Sequence, residues 1–235
     1  MLKLLDCTLR DGGYYNAWDF DRSLIEEYLR AMVAIGADFV ELGFRGFPKD
    51  EFLGGCAFTT DSFINSLPIP QELTLGVMVN ASEIVNHPDG VTKALAQLFA
   101  AADESPVSLV RIPCHFYEFE MAIEGCQWLK DQGYQVGINL MQIADRSIAE
   151  IEQVARIASQ YSLDVLYFAD SMGSMEPQQT SEIIQALKAE WSGQLGIHTH
   201  NNMGRALANC LQAITEGVTW IDGTVTGMGR GAGNV

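Results

Sequence analysis

The chain has 235 residues, 48% of them hydrophobic and 19% charged, enough apolar material for a full-sized core and too much for a disordered segment. Its formal net charge of −16 repels phosphate backbones and anionic membrane surfaces, which argues against nucleic acid as a partner. Cys7, Cys56, Cys114, Cys126 and Cys210 are scattered and odd in number, as expected of reduced thiols and not of a disulfide framework. The N-terminus meets Asp6 too early for a signal-peptide core, and no apolar run approaches the ~20 residues that span a bilayer. A cytoplasmic protein is expected.

Short apolar runs alternate with stretches of helical period, the signature of βαβ units. In chain order the expected strands are Lys3–Asp6, Phe39–Gly43, Thr74–Val79, Leu109–Pro113, Gln135–Asn139, Val165–Ala169, Gly196–His200 and Trp220–Val225. Helices are expected at Arg22–Ile35, Asp61–Leu67, Val91–Ala101, Tyr117–Gln132, Ser147–Gln160, Pro177–Lys188 and Arg205–Glu216. Ser147 and Glu150 have capping-box spacing, and Pro177 suits a first helical turn. Eight strands, several apolar on both faces, predict an α/β fold of the (β/α)₈ TIM-barrel type, with an open doubly wound sheet as the alternative. Residues 1–235 read as one barrel domain lacking its last helix, and a C-terminal continuation beyond Val235 is expected.

Barrel active sites lie at the C-terminal ends of the strands, so polar residues there carry the functional reading. His198 and His200 are two apart on the seventh strand and face the same way, with Thr199 turned opposite. Asp11, directly after the first strand, brings a carboxylate to the same mouth, and Gly12 and Gly13 are expected to form a tight turn there. Two imidazoles and a carboxylate suit Mn²⁺ or Mg²⁺ in an octahedral site, or less favourably Zn²⁺ in a tetrahedral one. Glu41, Arg111, His115, Asp170 and Ser171 are further polar residues at strand ends, each more readily explained as fixing the barrel rim. The run Gly227–Asn234 lacks the lysine and spacing of a phosphate-binding loop, which excludes a nucleotide function.

Four motifs occur in order: Leu5-Asp6-Cys7-Thr8-Leu9-Arg10-Asp11-Gly12, Ala169-Asp170-Ser171-Met172-Gly173, Gly196-Ile197-His198-Thr199-His200-Asn201-Asn202 and Gly227-Met228-Gly229-Arg230-Gly231-Ala232-Gly233-Asn234. Through them nearly the whole chain resembles the DRE-TIM metallolyases, the HMG-CoA lyase and isopropylmalate synthase-like group, and most of all their 4-hydroxy-2-oxovalerate aldolases. The resemblance implies that Asp11, His198 and His200 bind the metal, that Asn234 is a further ligand, and that Arg10 stabilises an enolate oxygen. It implies a carbon–carbon lyase acting on a small anionic 2-oxo acid through a pyruvate enolate. It further implies an aldehyde dehydrogenase partner or a homo-oligomer, formed through a C-terminal region.

Tyr14 stands where those aldolases carry a histidine base, leaving Tyr14, His115 or a metal-bound water as the candidate base. Gly12 replaces the group's glutamate, as in the aldolase branch. Two other readings compete: an acyl-CoA-dependent Claisen synthase on the same metal site, and a barrel that binds metal and ligand without turnover.

Overall fold

Several strands form where the chain is apolar on both faces. Phe39–Phe44, Leu109–Cys114 and Val165–Asp170 are buried at every position, which requires side-chain packing inside the barrel and helices outside it. A computed structural model, describing residues 1–235, has the order β1 (Lys3–Asp6), α1 (Thr8–Gly12), α2 (Arg22–Ile35), β2 (Phe39–Phe44), α3 (Asp61–Ser66), β3 (Leu75–Met78), α4 (Ala81–Val85) and α5 (Val91–Leu98). It continues through β4 (Leu109–Cys114), α6 (Phe119–Asp131), β5 (Gln135–Leu140), α7 (Ile148–Ala158), β6 (Val165–Asp170), α8 (Pro177–Glu190), β7 (Leu195–Thr199), α9 (Ala206–Thr215) and β8 (Trp220–Gly223). The eight strands are parallel and close in sequence order, with β1 paired to both β2 and β8. The expected TIM barrel is therefore the fold.

Local signals start or end several helices where the sequence places them. Gly36, at φ 69°, caps α2 in the left-handed region that glycine enters without strain. Ser147 and Glu150 form the expected capping box at the start of α7, and Pro177 opens α8. The expected helix near residues 61–67 is α3, capped by the Thr60 hydroxyl, which accepts the Phe63 N–H at 3.2 Å.

The departures have physical causes. The helix expected to reach Ala101 stops at Leu98, because Phe99 turns to extended backbone and packs edge-on against Tyr134. The seventh strand ends at Thr199, leaving His200 in an isolated bridge to Asn234. The eighth ends at Gly223, after which residues 224–235 form no further α-helix and fold over the barrel mouth. No helix is long and apolar enough to cross a membrane.

Candidate active site

Arg10 and Asp11 belong to α1, a single helical turn leaving the end of β1, and not to the tight turn expected there. Gly12 and Gly13 have ordinary right-handed φ values of −70° and −59°, so backbone freedom does not explain them. Space explains Gly13, where a β-carbon would run into the Trp18 indole, whereas one on Gly12 would meet only the flexible, exposed side chain of Met228. Trp18 Nε1–H donates to the Arg10 carbonyl at 2.8 Å, so the close approach at Gly13 fixes the backbone that carries Arg10 and Asp11.

Strand alternation sets the histidines as expected. Their ring centroids are 5.1 Å apart, while Thr199 faces away and hydrogen-bonds Cys210 at 3.3 Å. Asn234 returns to the same place from the chain's last residues, its Nδ2 donating to Asp11 Oδ2. That return needs Gly227, Gly231 and Gly233 at φ 71°, 67° and 85°, conformations that L side chains rarely adopt. Tyr15 pins the loop, its hydroxyl donating to the Gly229 carbonyl at 2.5 Å and the Gly231 carbonyl at 3.2 Å.

Beneath the mouth the ionic groups close into a ring. Arg10 Nη1 donates to Asp11 Oδ1 at 2.8 Å, and Arg10 Nε to Glu41 Oε1 at 2.8 Å. Glu41 also receives Arg111, Nε to Oε2 at 2.6 Å and Nη2 to Oε1 at 2.8 Å. Arg111 Nη1 meets both oxygens of Asp222 at 3.0 and 2.9 Å. Asp222 Oδ2 accepts from His198 Nδ1 at 2.8 Å, and His198 Nε2 lies 3.5 Å from Asp11 Oδ2. All six residues are buried.

With His198 neutral, the ring holds three carboxylates against two guanidiniums and is short of one positive charge. Burial opposes charge on Asp11, but the Arg10 guanidinium and the hydrogen bonds from His198 and Asn234 hold its carboxyl well below the usual range. Burial likewise opposes a charged His198, yet Asp11 and Asp222 together raise its pKa. His200 goes the other way, pushed down to about 4 by burial and by the nearby His198. It keeps a neutral ring, with Nδ1 engaged by the Arg230 carbonyl at 3.1 Å.

Asp11, His198 and Asn234 form a donor set that fits a divalent cation, while His200 lines the same cavity outside the close cluster of donor atoms. Asn234 Oδ1 is buried without a hydrogen-bond partner, which is costly for a carboxamide unless something at the site satisfies it. A cation beside Asp11 and His198 Nε2 would supply both that partner and the missing charge. Cys7 also reaches the site, its sulfur lying within 4.8 Å of the donor atoms of Asp11 and His198. Its thiol donates to the Gly223 carbonyl at 3.6 Å, and burial pushes its pKa well up, so it packs there as a neutral thiol.

Tyr14 and His115 both line the cavity above the ring, which measures about 580 Å³. The Tyr14 ring packs against Trp18 and lies under the Arg230 guanidinium, 5.5 Å from its centroid. His115 stacks on Tyr117 at 5.3 Å. Neither is paired with a carboxylate that would orient it as a base.

Of the other rim residues, Glu41 and Arg111 are interior members of the ring. Asp170 fixes its own loop by accepting the Ser174 and Met175 N–H groups, each at 3.0 Å. Sequence reasoning missed Asp222, whose only signal was an acid inside an otherwise apolar strand. It also missed Asn139, a buried carboxamide on β5.

The HMGL-like family model matches residues 114–235, just over half of the chain. A 4-hydroxy-2-oxovalerate aldolase of Roseiflexus sp. (strain RS-1) is 30% identical over 99% of this chain and 67% of its own length. One from Rhodococcus opacus (strain B4) is 29% identical over 99% of this chain. The chain spans 65% of the length of that relative.

Among solved structures, the N-terminal domain of a putative aldolase from Bacteroides vulgatus superposes over the whole chain and 76% of its own, with a TM-score of 0.85 and 29% identity. HMG-CoA lyase from Bacillus subtilis shares the fold, with a TM-score of 0.78 at 14% identity, over the whole chain and 82% of its own. With four ordered motifs on a closed barrel and a family match across its C-terminal half, the chain belongs to the HMGL-like family.

Proposed function

We propose that the chain is the catalytic barrel of a divalent-metal-dependent lyase that cleaves or forms the C3–C4 bond of a 4-hydroxy-2-oxo acid through a pyruvate enolate. The observation that carries this reading is the convergence of Arg10, Asp11, His198 and Asn234 at one barrel mouth, with an unpartnered Asn234 oxygen among them and His200 lining the same cavity. Asp11, His198, His200 and Asn234 would hold Mn²⁺ or Mg²⁺, which when bound supplies Lewis-acid polarisation of the 2-oxo group.

Arg10 is the one buried guanidinium lining the cavity. It places fixed positive charge where negative charge grows on the keto oxygen during cleavage, which stabilises the transition state more than the ground state. Glu41 and Asp11 hold the Arg10 guanidinium from two sides, so it need not reorganise when that charge appears. Tyr14 and His115, which line the cavity, and a metal-bound water are the candidates to take the 4-hydroxyl proton in cleavage and return it in addition. The relatives named 4-hydroxy-2-oxovalerate aldolase support this choice of substrate class.

The test is Mn²⁺-dependent exchange of pyruvate methyl protons with deuterated water, followed by NMR, in the wild type and in Asp11→Ala. Exchange that needs both the ion and Asp11 is the expected result. Its absence in protein that binds Mn²⁺ would overturn the pyruvate reading in favour of an acyl-CoA condensation or a barrel without turnover.

A further inference from the structure

Across the barrel from β1, the wall of the cavity changes character. Asn80, Asn139, Gln142, Ser171 and Asn202 line it between the apolar Met78, Met141 and Met172, and these five are uncharged groups that both donate and accept hydrogen bonds. Asn139 is the telling member. It is 3% exposed, and its Oδ1 is buried without any partner. Its register neighbour on β4 is Pro113, which has no N–H to offer.

Gln142 is a second, independent sign. It holds φ at 55° although it is not glycine, and its N–H donates to the Ser171 hydroxyl at 2.9 Å. Strain of this kind persists where the surroundings enforce it, and it gathers at ligand sites. The cavity of about 580 Å³ has room for more than a three-carbon oxo acid and a two-carbon aldehyde.

We infer that this amide wall binds a polyhydroxylated aldehyde, an open-chain sugar-like acceptor, so that the reaction makes or breaks a 4-hydroxy-2-oxo acid bearing further hydroxyl groups. The inference rests on the pyruvate aldolase reading above. In the direction of addition, the pyruvate methyl carbon gives up a proton and bonds to the aldehyde carbon. The carbonyl π pair moves onto oxygen, which takes up a proton, and no oxidant or reductant is needed. Hydroxyls beyond the new bond then exchange hydrogen bonds with the amides of Asn139, Gln142 and Asn202, whereas an alkyl chain leaves those amides unpaired. A site built to bond a hydroxyl rejects the analogue lacking it by up to about 10⁴-fold.

The experiment pairs pyruvate with D-erythrose or with butanal, two four-carbon aldehydes, using the full chain loaded with Mn²⁺, and measures kcat/KM for addition alongside pyruvate proton exchange. The expected result is exchange together with a preference for erythrose of about 100-fold or more. Asn139→Leu should shrink that preference at least tenfold, and Gln142→Leu provides the same reading should the first variant not fold. Exchange with equal or better use of butanal overturns the hydroxyl-binding wall and leaves the pyruvate reading standing. Absence of exchange in protein that binds Mn²⁺ overturns both.

Discussion

Arg111 and Asp222 face each other inside the barrel, the guanidinium Nη1 reaching both carboxylate oxygens at 3.0 and 2.9 Å. They sit on β4 and β8, 111 residues apart in sequence, and neither touches solvent to any useful extent. Through this pair the support of the histidine His198 is tied to the support of Arg10.

Arg111→Met should therefore be strongly destabilising, because it leaves Glu41 and Asp222 as buried carboxylates without their shared partner. Removing one member of a buried ion pair costs about 3–5 kcal/mol. Urea unfolding should show the lowered midpoint, and a loss below about 1 kcal/mol would mean that the ring contributes little.

Asp222→Asn tests the same ring from the metal side. The variant keeps the shape but weakens the acceptor that fixes His198 through Nδ1. Loss of such a supporting hydrogen bond typically costs 10–100-fold in metal affinity. Titration calorimetry with Mn²⁺ measures this without reference to turnover.

Metal itself should stabilise the fold. An ion that binds only the native state contributes about 2.7 kcal/mol at a hundredfold excess over its Kd, roughly 5–11 °C in Tm for a chain of this size. Thermal melts with and without Mn²⁺ should show the shift, and Asp11→Ala should erase it. An unshifted wild-type melt would remove the metal from the proposal.

Arg10→Lys should lower kcat by about 10²–10³-fold, the usual consequence of losing a preorganised donor to an oxyanion. An ammonium cannot span Asp11 and Glu41 as the guanidinium fork does. Steady-state cleavage kinetics on a 4-hydroxy-2-oxo acid decide it, and a change confined to KM would reassign Arg10 to simple substrate binding.

The cysteines give a pH prediction. Burial pushes the Cys56 thiol up to about 12 and the Cys210 thiol up to about 11, above the ~8.5 of a free thiol. A folded pKa raised in this way means that stability is fully present below the unfolded value and is lost as pH rises toward the folded one. The urea midpoint should hold from pH 7 to 8 and fall by pH 10. At pH 8 a thiol reagent should leave the native cysteines unmodified and label all five after unfolding.

Much of the scaffold was legible because it is local. Apolar runs buried on both faces, the Ser147–Glu150 cap and Pro177 at a first turn are set by residues a few positions apart, and they mark the strands and helix starts that close into the barrel. Period-two alternation likewise settles that His198 and His200 face one way and Thr199 the other. Strand order then brings Asp11 to the same mouth, since β1 and β7 both flank β8.

Relationships across the barrel were not legible. Nothing near Asp222 in the sequence says that it grips Arg111 and His198, and Glu41 and Arg111 read singly as rim polarity. The glycines at 12 and 13 looked like a turn, and only the packed Trp18 shows that Gly13 is small to make room. The orphaned oxygens of Asn139 and Asn234 exist only once neighbouring strands have taken every other partner away. The sequence by itself determined the elements, their order and the ends at which chemistry can sit, because those follow from periodicity and short-range hydrogen bonding. Tertiary structure decided which charges meet and which polar atoms go unpaired, because burial sets those terms and burial is a property of the closed barrel.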